Sequence, residues 1–128
     1  MNIPVLIVAI IMCLVVLAHV IGGTRETAFL RPKDGNAKQT DHWVQAMCAF
    51  QMLSVDLLVV AAALLALTCL DFGPAERPII LGFAGLFFLW GLAWIIQAYW
   101  LQRSPKSLLR LPHWLVWFLC SGLLIWGS

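Results

Sequence analysis

Apolar residues occupy this chain in four long blocks, at residues 3–21, 44–70, 79–101 and 115–126, and the charges fall almost entirely in the gaps. Each block comes close to the ~20 residues that a helix needs to cross a hydrocarbon layer. The pattern predicts helices at about residues 3–22, 42–70, 78–101 and 112–127 in a single domain, 1–128. The expected fold is all-α: an integral membrane four-helix transmembrane bundle. The punctuation between blocks agrees. Gly22-Gly23 is expected to close the first helix, and Phe72-Gly73-Pro74 to make a tight turn that sets helices two and three antiparallel. Pro4, Pro74, Pro78 and Pro112 fall at or before helix starts, and Pro32 and Pro105 fall in loops, so no span is interrupted. The first loop contains Pro32-Lys33-Asp34-Gly35-Asn36 and has room for a short interfacial helix around residues 24–30.

Composition strengthens the membrane reading. Charged residues make up 11% of the 128, and the mean hydropathy is +0.94, more apolar surface than a water-soluble core of this size absorbs. The first block has no basic segment before it and no small-residue cleavage site after it, so it is expected to remain as a helix. Cys13, Cys48, Cys69 and Cys120 all lie within apolar blocks without a Cys-x-x-Cys pair, which suits small apolar packing rather than disulfides or zinc.

Charge matters here by location. Arg25, Arg31, Lys33 and Lys38 lie in the first gap and Arg103, Lys106 and Arg110 in the third, whereas the second holds only Arg77 against Asp71 and Glu76. The positive-inside rule then places gaps one and three in the cytoplasm and both termini outside. The compact chain without targeting signals suits a bacterial inner membrane. Seven scattered basic residues are too few and too dispersed for nucleic acid; they suit anionic headgroups of the lipid bilayer, at about 1 kcal/mol each.

Asp56 is the sharpest candidate for chemistry. It sits near the middle of the second block, where an acid costs ~2.5–3.5 kcal/mol on insertion scales. Counting up from the cytoplasmic helix ends, Trp90 and Ser121 reach the same height, ~18 Å, and are its expected partners. Either Asp56 couples a proton or cation to transport, or it locks two helices by a hydrogen bond. His42, Gln45 and Asp56 fall within about 60° on one helix face, a polar stripe expected to face the bundle. His19, His113 and Gln97 are expected near the same cytoplasmic level, so a polar path could lead from that surface to the midplane acid.

Three histidines could also hold a metal or the iron of haem b. The chain has neither a His-x-x-x-His nor a Cys-x-x-Cys-His, so His19, His42 and His113 are candidates for metal or haem b without a diagnostic spacing, and no metal or cofactor is expected. Trp90 and Trp94 form a stripe with Phe83, Phe87 and Gln97, either a packing face or a stacking surface for a flat ligand such as quinone or haem. Trp43, Tyr99, Trp100, Trp114, Trp117 and Trp126 suit interfacial anchoring. Ala62-x-x-x-Ala66, Gly82, Gly85 and Gly91 permit close helix contacts. No Gly-x-Ser-x-Gly, His-Glu-x-x-His or Walker-type loop is present, so an enzyme is not expected.

Three segments resemble a family of small bacterial four-helix inner-membrane proteins: Ala18-His19 through Gly22-Gly23-Thr24-Arg25-Glu26, then His42-Trp43, then Pro112-His113-Trp114 through Gly127. The family's more usual Ser-x-Leu-Gly-Glu run is replaced here by Gly-Gly-Thr, and Asp56 is not among its hallmarks. The resemblance implies the four-helix fold and a role for His19, His42 and His113, without an established activity. The expected function is a non-enzymatic accessory subunit or minimal transporter, working as a homo-oligomer or with a membrane-complex partner. A haem b- or quinone-binding redox subunit and a proton-coupled exporter are the alternatives.

Overall fold

Long runs of Leu, Ile, Val, Ala and Phe without an internal proline let a chain satisfy its own backbone groups helically, the requirement of any lipid-exposed segment. The computed structural model describes every residue except Met1, Asp34, Gly35, Ser104 and Pro105, with Ser107 described by its backbone alone. The turn placements of Asp34-Gly35 and Pro105 therefore lie outside the described residues. Among those described there is no strand. The elements are α1 (Ile3–Leu17), a π-helical turn (Ala18–Gly23), α2 (Thr24–Phe29), α3 (Ala37–Cys69), a 3-10 turn (Gly73–Ala75), α4 (Glu76–Gln102), α5 (Lys106–Arg110) and α6 (His113–Trp126).

Three helical stretches are long and apolar enough to cross a membrane: Ile3–Phe29, Ala37–Cys69 and Gly73–Gln102. The fourth apolar helix, α6, has 14 residues, or ~21 Å of rise.

Gly22-Gly23 does not close the first helix as expected. Both glycines stay right-handed within the π turn, the Thr24 N–H reaches back to the His19 carbonyl, and the helix continues to Phe29. A π turn takes one extra residue without breaking the backbone ladder, and the Thr27 hydroxyl adds a 2.8 Å bond to the Gly23 carbonyl. The turn after α3 follows expectation. Gly73 has φ +54°, its N–H is held by the Asp71 carboxylate at 2.8 Å, and Pro74 opens the 3-10 turn. A residue with a Cβ would be strained at that φ.

The chain divides into two compact units, Met1–Val8 with Leu67–Ser128, and Ala9–Ala66. In the first, α6 packs along α4. Phe87 and Leu124 are fully buried, and Phe87 stacks on Trp117 at 6.0 Å while Trp90 meets the same indole edge-on at 5.2 Å. Gly91 permits this closeness, since a Cβ there would stand 3.0 Å from the Phe118 ring. Asn2 links the two ends of the unit. Its Nδ2 donates to the Gly127 carbonyl at 2.6 Å, and its Oδ1 caps the Val5 N–H at 3.3 Å.

In the second unit, α1, the π turn and α2 run antiparallel along α3. Trp43 Nε1 donates to the Thr27 carbonyl at 3.0 Å, and Gln51 Nε2 donates to Thr24 Oγ1 at 3.1 Å. Towards the other end, Cys13, Leu17, Leu58, Ala61, Ala62 and Leu65 are among the residues that line an open apolar groove of about 290 Å³. The buried residues of α3 here are Ser54, Leu57, Val60, Ala61 and Leu64, one face at helical spacing.

Candidate functional site: the polar flank of α3

The buried face of α3 decides where its polar residues go. Packing Leu57, Val60, Ala61 and Leu64 inward turns the flank that carries His42, Gln45 and Asp56 outward, and all three side chains are exposed. None forms a hydrogen bond or ion pair with another described residue. The stripe exists at the expected spacing, but it does not face this chain's interior. Ser121 and Trp90, the expected partners of Asp56, are engaged elsewhere. The Ser121 hydroxyl is buried and donates to the Ala84 carbonyl at 2.9 Å, and Trp90 packs between Phe87 and Trp117.

The physical reason is economy of donors. A branched apolar set fills the inner face of α3, and burying a carboxyl in its place would demand a dedicated partner. The surroundings of Asp56 are apolar nonetheless. Met52 is 70% exposed and Val59 61%, and both share the flank of Asp56 at i−4 and i+3.

The histidines have three different settings. His19 is half-buried; its ring stacks on Phe50 at 3.9 Å and 14°, and its Nε2–H donates to the Phe50 carbonyl at 3.3 Å. His42 is exposed in the second turn of α3, which starts at Ala37 rather than at residue 42 as expected. His113 is exposed at the start of α6, its ring 4.6 Å from that of Trp94. His19 and His42 belong to one unit and His113 to the other. Among the described residues, no three His, Cys, Asp or Glu side chains are grouped to hold a metal ion.

Of the aromatic stripe on α4, Phe87 is buried, Phe83, Trp90 and Trp94 are half-buried and Gln97 is exposed. Trp94 Nε1 donates to the Leu111 carbonyl at 3.2 Å, and Trp114 Nε1 to the Leu108 carbonyl at 3.1 Å. These indoles brace the α5–α6 connection.

Sequence reasoning missed Phe50. Its ring fills a slot between His19 and Gly23, where a Cβ on Gly23 would lie 2.5 Å from the ring tip. The signal was present in the i, i+4 pairing of a histidine with a glycine, which leaves a flat notch on one helix face. Arg31 was also missed as a partner of Trp43, its guanidinium lying 5.6 Å from the ring centre within cation–π range. No protein-family model, curated protein or solved structure matches the chain.

Proposed function

We propose that this chain is a non-enzymatic polytopic membrane subunit, a minimal transporter or accessory subunit of a bacterial inner membrane. Its four apolar helices cross the bilayer with the basic gaps in the cytoplasm and both termini outside, α6 crossing where the layer thins or its flanking residues snorkel. One observation carries the reading: Asp56 sits in the middle of a long apolar helix, exposed and without a partner among the described residues. An acid at that depth is tolerated on a water-filled or protein-covered face. Together with Gln45 and His42 it marks a polar track from the second turn of α3 to mid-span. That track favours transport of a proton or small cation over a purely structural role.

The haem or quinone alternative draws less from the geometry. His19 spends Nε2 on the Phe50 carbonyl, and the rings of Trp90 and Trp94 are engaged by neighbouring aromatics.

Proton release from dye-loaded proteoliposomes tests the proposal. Under an imposed membrane potential the wild-type chain carries protons and Asp56→Asn loses the flux. Equal flux in both variants refutes a transport role for Asp56, and silence in both leaves the accessory role.

A further inference from the structure

We infer that the polar flank of α3 is the contact face for a second copy of this chain, with the two Asp56 carboxyls meeting across a twofold axis. The inference rests on the reading that α3 crosses a bilayer.

His42, Gln45, Ala49, Met52, Asp56 and Val59 follow one another at spacings of three and four residues, and every one is exposed. A stripe with that alternation keeps facing a partner helix when the two cross at about 20° in the left-handed sense, the common geometry of helix pairs in lipid. Exposed Met52 and Val59 alone would need no explanation on a lipid-facing surface. An aspartic acid between them does, because hydrocarbon supplies no hydrogen-bond partner.

The occupant follows from the chemistry of the polar groups. A neutral imidazole, a primary amide and a protonated carboxyl each carry both a donor and an acceptor. Each can therefore bond to a copy of itself. Copies of one chain insert with the same orientation, since each carries the same charge bias. A twofold axis along the membrane normal then sets like residues opposite each other, as an isologous interface requires. His42 meets its equivalent, Gln45 its equivalent, and the two Asp56 carboxyls face each other, where one shared hydrogen bond joins them. Ala49 lets the backbones approach between the polar layers, and Met52 and Val59 close the acid pair from lipid. A basic partner helix would complement Asp56 by charge, but the amide of Gln45 gives it no matching feature.

The test uses the full-length chain, purified and reconstituted in phosphatidylcholine–phosphatidylglycerol vesicles, with Cys13, Cys48, Cys69 and Cys120 replaced by alanine. Single substitutions Ala49→Cys, Met52→Cys and Val59→Cys probe the proposed face, and Val55→Cys, Leu58→Cys and Ala62→Cys probe other exposed positions of α3. Mild oxidation is expected to give disulfide-linked dimers from the first three far more readily than from the last three. Asp56→Asn keeps the pattern, because an amide also donates and accepts. Asp56→Leu weakens association about 3- to 30-fold, the range of one interhelical hydrogen bond in lipid.

Cross-linking concentrated at Leu58→Cys and Ala62→Cys would assign the contact to the apolar groove and overturn the inference. So would indifference of association to Asp56→Leu, or linkage only to a different protein in native membranes with no dimer in vesicles. Cross-linking reports the contact whether or not the protein conducts, so a lost transport role and a lost interface give separate results.

Discussion

The two units of this chain treat their polar residues in opposite ways. In the α4–α6 unit, the hydroxyl of Ser121, the indoles of Trp94 and Trp114 and the amide of Asn2 all donate to backbone carbonyls. Each bond ties one segment to another in a setting rich in aromatic rings. In the α1–α3 unit, Trp43, Gln51 and His19 serve the same purpose, yet the flank of α3 leaves His42, Gln45 and Asp56 unbonded among the described residues. Polar groups that hold this fold together find a carbonyl or a hydroxyl on a neighbouring segment. Those on the open flank carry as much donor and acceptor capacity, placed where the described fold makes no use of it. The difference separates residues that build the chain from residues available for its work.

That contrast can be broken by substitution in single-chain micelles, with stability followed by reversible unfolding. The largest loss is expected from Phe87→Ala, which empties the fully buried aromatic centre of the α4–α6 unit and should cost about 3–5 kcal/mol. Gly23→Val comes next. Its Cβ would overlap the Phe50 ring, so an overpacking cost of about 1–3 kcal/mol is expected, accompanied by loss of the His19–Phe50 stack in the imidazole NMR shifts. Ser121→Ala removes one buried interhelical bond and should cost about 0.6 kcal/mol, and at most about 1.7, the average and the maximum for such bonds in a membrane protein. A Ser121→Ala loss larger than that of Phe87→Ala would show that hydrogen bonding, rather than aromatic packing, holds this unit.

Much of this architecture is legible in the residues. Long proline-free apolar runs dictate helices, and the Gly73-Pro74 pair dictates the turn, because each acts through local backbone preference. The π turn was not legible, since Gly22-Gly23 reads as a stop unless the Phe50 ring that fills its notch is known. The direction of the Asp56 stripe was not legible either. Helical spacing places His42, Gln45 and Asp56 on one side of α3 but does not say which side packs. That choice is made by Leu57, Val60, Ala61 and Leu64, whose combined apolar surface outweighs a single acid. Height alone does not assign partners, for a related reason: equal height along a helix leaves rotation open, and the Ser121 hydroxyl donates to the Ala84 carbonyl of α4.

The central claim is that the Asp56 side chain is exposed and has no partner among the described residues. Unfolding of Asp56→Leu beside the wild type, both as single chains in micelles, tests it most directly. The open flank predicts a stability within about 0.5 kcal/mol of wild type, the ordinary range for an exposed substitution. A loss of about 2 kcal/mol or more, the scale of a broken buried hydrogen bond, would contradict it and return Asp56 to the interior of the bundle.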